Sequence, residues 1–414
     1  MAATGREFFT VKAVSEALSG FRPGHLTPVE SVPLGDAYRR VPDEEIVARE
    51  TLPGFDRSSV DGYAVRAADT FGASESIPGY LRVAGAVRMG APATDQVSPS
   101  TAVAIPTGGM LPAGADAVVM VEHTAVATLE TIEVVRPVAP GENVVRFDED
   151  AAAGTPLASS GRPLRAHDLA LLAAAGIAEV SVHARPRVTI LATGDEVVPP
   201  DTPALAPGEV RDALSVSIGA LVREAGGVVA GAPTIVPDDE GALHDALIAA
   251  VRASDVVVIC AGSSVGMRDQ TAAAVAALPN AETWCHGLAI KPGKPTLLAH
   301  SGGIPIIGLP GNPRSALVVF RLIGMPLVRR VGGWTVEPLA GTIRATLARD
   351  LPSAAGRLDV VQVRLGGSGE RLVEPVLGSS ALLSVLTAAD GYVIVPEDAN
   401  GLSAGEAVEM FPYG

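Results

Sequence analysis

The sequence predicts an α/β multidomain protein whose largest unit is a doubly wound, mostly parallel sheet. Three observations carry that reading. At ~150 residues per domain, the 414 residues divide into two to four domains. Between residues 186 and 332 apolar strand-like runs alternate with helical patterns at the spacing of βαβ units. On both sides of that region the chain breaks into short alternating segments split by Gly, Pro and Asp, the pattern of small β domains.

Taken in order, the first fifty residues read as helix. Residues 11–18 are apolar at helical spacing and 27–37 form a second short helix or turn. Pro53 and Gly54 end that pattern. Segments 80–87, 102–106, 117–121 and 131–135 read as strands of a small β domain, and 165–176 as an Ala/Leu-rich helix stopped by Gly176. Strands at 188–193, 228–236, 255–261 and 304–309 then alternate with helices at 214–224, 240–253, 269–278 and 314–331. In such sheets ligands bind beyond the carboxyl ends of the strands. The last eighty residues, with strands at 341–348, 358–365, 372–375 and 391–396, predict a small barrel or sandwich.

Composition excludes several function classes. A net charge of −15 argues against binding nucleic acid or an anionic membrane through bulk charge. Cys260 and Cys285 are too few for a disulfide framework or a Cys-based zinc cluster and point to a reducing compartment. The seven histidines form no close pair. Residues 1–10 hold too few apolar residues for a signal peptide, and the longest apolar stretch, 315–328, is broken by Arg321 and Pro326. A cytoplasmic protein is the expectation.

The informative residues fall at the strand ends. Thr193-Gly194-Asp195-Glu196 follows the first strand, and Ala261-Gly262-Ser263-Ser264-Val265-Gly266, with Asp269 beyond, follows the third. Pro310-Gly311-Asn312-Pro313 follows the fourth and opens a helix. Glycines there let backbone approach a ligand. One such loop is an ordinary turn; three on one sheet edge favour an anion or nucleotide site. Lys291-Pro292-Gly293-Lys294-Pro295 is the most specific signal. Only three lysines occur in the chain, and two lie in these five residues. Residues 283–336 contain no Asp or Glu but six Lys and Arg, a positive site in an acidic chain. Compact ammonium groups on a proline-stiffened loop suit phosphate or another oxyanion. Asp61, Asp150, Glu196, Asp238 and Asp269 form the complementary acids, which could hold Mg²⁺ beside substrate phosphates. No P-loop or G-x-G-x-x-G is present, which sets a nicotinamide enzyme aside.

Several motifs stand in a family's order: residues 52–65 (Leu52-Pro-Gly-Phe-Asp-Arg-Ser-Ser-Val-Asp61-Gly-Tyr-Ala-Val65), Pro106-Thr107-Gly108, Glu149-Asp150, Thr193-Gly-Asp-Glu196, Ile290-Lys-Pro-Gly-Lys-Pro295 and Gly308-Leu-Pro-Gly-Asn-Pro313. The chain closely resembles the molybdopterin molybdenumtransferase family, to which the gephyrin E domain is related, from about residue 7 to 412. The resemblance implies an elongated helical dimerisation domain from residues 1–50 and 143–184, an inserted β domain at 51–142, a three-layer α/β domain at 185–332 and a C-terminal β-barrel at 333–414. It implies a homodimer that inserts molybdate into adenylylated molybdopterin, needs Mg²⁺ and releases AMP. Its protein partners would be the molybdopterin adenylyltransferase and acceptor molybdoenzymes. Lys291 and Lys294 would neutralise the anions, with Ser315, Arg357 and Ser379 at the oxyanion. Gly262, Ser264, Pro295, Pro310, Asn312 and Pro313 would shape the substrate site. Glu196, Asp238 and Asp269 would bind metal or substrate. Asp61, Thr107 and Asp150 would complete the cleft from the partner subunit.

The chain departs from the family pattern at Ala261 and Ser263 in the third strand-end loop, at Ala272 for a common lysine, at Leu214 for a usual asparagine, and at Ser380 for a histidine. These positions admit two other readings: a divergent paralogue acting as a non-catalytic pterin-binding scaffold, or, since tungstate matches molybdate in size and charge, a tungstate insertase.

Overall fold

The computed structural model describes residues 11–261, 265–338, 341–366 and 371–413, the side chains of residues 265–269 excepted. Its centre is a seven-stranded mixed sheet. Arg187–Thr193 pairs in parallel with Val228–Val229, Thr234–Val236 and Val256–Cys260, and Val256–Cys260 pairs in parallel with Ile304–Leu309. Leu297–Ser301 and Ala281–His286 then extend the sheet antiparallel, the second at its edge, two strands that the alternation pattern does not reveal. The segment read as one strand over 228–236 is two short strands, with Gly231 at φ +75° between them.

Side-chain alternation makes this sheet three-layered. Val256, Val258 and Cys260 pack with helix Leu214–Glu224 and the helices between Pro313 and Val331. Val257 and Ile259 pack with helices Glu240–Ala253 and Val265–Ala276 on the other face. A run buried on both faces reads as continuous Val and Ile, which is what residues 256–259 are.

A six-stranded β sheet built from residues 62–134 carries its own cores, around Leu81 and Ile132 on one side and Val103 and Val118 on the other. Residues 29–48 and 151–182 share one core, through Ala37, Ala48, Leu157, Leu164, Leu172 and Val182. The stretch 27–37 is not helical. Val29–Pro33 is a strand paired antiparallel with Glu179–His183, followed by a single 3-10 turn. Helix Val14–Gly20 packs instead on the α/β core through Val14 and Ala17.

The C-terminal region is a closed five-stranded barrel. Leu358–Gly366, Leu372–Pro375, Ile343–Leu347, Ala407–Pro412 and Gly391–Val395 pair around it, and the last returns to the first. Val360 and Tyr392 of the barrel belong to the same core as the α/β sheet, so the two units share a packed seam. No helix among the described residues is long and apolar enough to cross a membrane.

Candidate active site

The Lys291–Lys294 loop is held from both sides of that seam. The Lys12 N–H donates to Gly287 O (3.2 Å) and the Ala289 N–H to Lys12 O (2.8 Å), fastening the loop to the N-terminal segment. On the other side the Leu358 N–H donates to Ala289 O (2.9 Å), and Ile290 and Lys291 pair in parallel with Leu358 and Asp359 of the barrel. Gly293 has φ +125°, and a Cβ there would lie 2.4 Å from Val319 Cγ2, so the tight turn between the lysines needs glycine.

The loop walls a cleft of about 680 Å³ that also takes in Pro310, Asn312, Arg314, Ser315, Arg357, Gly378 and Ser380. The cleft thus gathers Lys291, Lys294, Pro295, Pro310, Asn312, Ser315 and Arg357 of the sequence-predicted set. Ser379 sits between two lining residues, its hydroxyl accepting from the Ala381 N–H (3.3 Å). Lys294 is exposed, and among the described residues no acid pairs with its ammonium. Lys291 lies 3.7 Å from Asp359, whose buried carboxylate also accepts from Arg357 Nε (2.8 Å). The stretch 283–336 is acid-free, yet the barrel supplies this counter-charge. Sequence reasoning missed Asp359 because only strand register brings it to Lys291. Arg314, one of the six cations of that positive stretch, is held by bonds the sequence does not show: its Nη1 donates to Gly378 O (3.0 Å) and its N–H donates to Ser380 O (3.1 Å). Burial pushes the Arg314 guanidinium below its ordinary value, and its buried Nε has no hydrogen-bond partner.

A second pocket of about 320 Å³ adjoins the first. Its lining includes Thr193, Glu196, Asp212, Leu214, Ala261, Gly311, Pro313, Ala381 and Leu383. The 310–315 loop is the wall between the two. Pro310, Asn312, Arg314 and Ser315 face the lysine cleft, whereas Gly311 and Pro313 face the second pocket. The Thr193 hydroxyl is buried there without a partner. Of the positions that depart from the family pattern, Leu214 and Ala261 line the second pocket and Ser380 lines the cleft. Ala272 does not; it packs against the core on the far face of the sheet.

Glu196 folds back over Gly194 (φ +143°), where a Cβ would lie 2.5 Å from Glu196 Oε2. Burial, then the charges of Asp195 and Glu196, push the Asp238 carboxyl above its ordinary value, and its buried Oδ1 has no partner. Asp61 and Thr107 meet in the inserted sheet region, the Thr107 N–H donating to Asp61 Oδ1 (2.7 Å). Asp150 is exposed, its N–H bonded to Leu52 O (3.0 Å). Among the described residues, none of Asp61, Thr107 and Asp150 lines either pocket of this chain. Gly262, Ser264 and the Asp269 side chain lie outside the described residues.

Comparison with known proteins agrees with this architecture. Residues 11–176 match the MoeA N-terminal region (domain I and II), 189–330 a probable molybdopterin binding domain, and 344–413 the MoeA C-terminal region (domain IV). The chain is 33% identical over 393 residues to a molybdopterin molybdenumtransferase of Haemophilus influenzae, with 94% of each chain covered. It is 33% identical over 407 residues to molybdopterin molybdenumtransferase 2 of Mycobacterium tuberculosis, covering 97% of each. A crystal structure of a molybdopterin biosynthesis protein, MoeA, from Pyrococcus horikoshii superposes with a TM-score of 0.81 at 31% identity, covering 97% of this chain and all of that one. With both pockets built from the matched regions and similarity running through nearly the whole chain, this protein belongs to the molybdopterin molybdenumtransferase family, transferases of molybdenum cofactor biosynthesis.

Proposed function

We propose that this protein inserts molybdate into adenylylated molybdopterin with release of AMP. The observation that carries the reading is Lys294, unpaired by any acid among the described residues, in a cation-lined cleft that shares the 310–315 wall with a second, less charged pocket. A compact dianion and an organic substrate need adjoining sites of these two kinds. Lys294, Lys291 and Arg357 would bind molybdate by charge-assisted hydrogen bonds. Ser315 would orient it from the start of the helix that opens at Pro313. The second pocket would hold the pterin, where the Thr193 hydroxyl offers an unused hydrogen bond. Leu214 and Ala261 make that pocket more apolar and would weaken grip on the substrate's polar edge.

The residues fit Mg²⁺ in chemistry. Asp238 carries a buried carboxylate oxygen without a hydrogen-bond partner among the described residues, and burial, then the neighbouring acids, push its carboxyl up; it is a hard oxygen donor of the kind Mg²⁺ takes. Among the described residues no group of three acids, His or Cys is arranged to hold a metal, so substrate phosphates would complete the shell. Glu196 and Asp238, with Asp269, would hold the ion, which supplies charge neutralisation at the phosphoanhydride when bound. The protein would act as a homodimer, with Asp61, Thr107 and Asp150 reaching the partner's cleft.

Reconstitution with adenylylated molybdopterin, Mg²⁺ and molybdate tests the reading. Molybdate-dependent AMP release and active cofactor are expected. Pterin binding without AMP release would establish the scaffold reading instead, and turnover with tungstate at equal or greater efficiency would replace molybdate as the cargo.

A further inference from the structure

We propose that Asp359 is a positioning residue for the oxyanion cleft: it fixes Lys291 and Arg357 from behind and so decides where their remaining N–H donors point. This rests on the cleft being the oxyanion site. Asp359 shares the parity of Val361 and Val363, which pack in the barrel core, and its side chain is only 4% exposed. A carboxylate buried to that degree needs counter-charges. It has two, each from a different side of the domain seam. Arg357 donates Nε to Oδ1 (2.8 Å) and Nη2 to Oδ2 (3.4 Å), and Lys291 Nζ lies 3.7 Å from Oδ2. Lys291 is also the register partner of Asp359, so the backbone ladder and the ion pair locate the same ammonium.

Both cations line the cleft and Asp359 does not, so it stands behind them. Guanidinium carries five N–H donors, of which Asp359 takes two; ammonium carries three, and Asp359 holds that of Lys291 by charge at 3.7 Å. The rest are left for the cleft. If an incoming dianion pulled either cation away, the buried carboxylate would keep only one of its two counter-charges, so the pairing resists displacement. Lys294, with no such anchor, is free to follow the ligand. The cleft therefore combines two fixed donors with one adaptable donor.

Charge alone and positioning predict opposite signs. Removing a negative charge beside an anion site should tighten binding if Asp359 merely opposes the anion. It should weaken binding if Asp359 orients the cations. Molybdate itself is the probe, titrated into the full-length protein, with calorimetric Tm measured alongside. Asp359→Asn is expected to weaken molybdate binding by roughly tenfold, and to have a smaller further effect on an Arg357→Ala background, where only its hold on Lys291 remains to be lost. Equal or tighter binding by Asp359→Asn overturns the proposal, as does an equal loss in both backgrounds. Should Asp359→Asn fail to fold, Arg357→Lys decides: it keeps the charge and loses the fork on Asp359, so weaker binding supports positioning and unchanged binding overturns it. Lys294→Ala separates this from the function reading. If that variant loses molybdate while Asp359→Asn does not, only the role of Asp359 fails; if Lys294→Ala also binds normally, the cleft is not the oxyanion site.

Discussion

Thr107 donates twice to a single oxygen of Asp61: its backbone N–H lies 2.7 Å and its hydroxyl 3.1 Å from Oδ1. The N–H bond, then the hydroxyl bond, hold the Asp61 carboxyl below its ordinary value on an exposed surface. Thr107→Val keeps the N–H bond and removes the hydroxyl. The Asp61 titration midpoint, followed by NMR, should then rise toward the ordinary carboxylate value, with the fold unchanged. Turnover should fall at low pH first, because Asp61 stays ionised over a narrower range. An unmoved midpoint would show that the hydroxyl does not hold the carboxylate.

A shared cleft makes a sharper prediction. Asp61→Asn and Lys294→Ala should each be strongly impaired when molybdate is limiting. In a mixed dimer one cleft collects both lesions and the other neither. Random reassortment of equal amounts gives about half mixed dimers, so about a quarter of all clefts would be intact. Activity of the co-refolded mixture should return toward a quarter of wild type. A mixture that dimerises but stays as inactive as its parents would place both residues in one chain's site.

Asp168 bears on stability and not on chemistry. It is buried at the start of helix Ala166–Ala174, with Arg165 Nε (2.9 Å), Arg162 Nη2 (3.0 Å) and the Arg165 N–H (2.7 Å) on it. Burial alone would raise its carboxyl; the hydrogen bonds from Arg165 and Arg162 reverse that and hold it far below the usual range. A depressed carboxyl stabilises the fold above its unfolded value, near pH 4, and that contribution disappears as pH falls through the folded value. Asp168→Asn should therefore cost about 2–3 kcal/mol at pH 7, with the gap to wild type closing in acid. Denaturant melts at pH 7 and pH 3 measure it, and an equal loss at both would contradict the electrostatic account.

Much of this was legible in the sequence, for physical reasons that differ by region. Residues 256–259 betray a strand buried on both faces because period-two packing against two helix layers leaves no polar position. The lysine loop is legible because an Arg-rich chain placed two of its three lysines there. What escaped depends on long-range pairing. Val29–Pro33 is a strand only because Glu179–His183 lies beside it. Asp359 reads as an ordinary strand residue until the barrel brings it into register with Lys291. Arg314 counts as one of six cations in the sequence, but its grip on Gly378 and Ser380, far away in the chain, is not visible there. Ala272 lies one helical turn from Asp269 in sequence and invites a substrate role, yet the helix turns it to the core.

The central claim is that the Lys291–Lys294 cleft takes the oxyanion, and equilibrium titration of molybdate into wild type and Lys294→Ala tests it most directly. A hydrogen bond to a charged group contributes ~1.5–3 kcal/mol, so binding should weaken roughly tenfold or more in the variant, with Tm unchanged. Identical affinities in the two proteins would contradict the assignment of the cleft.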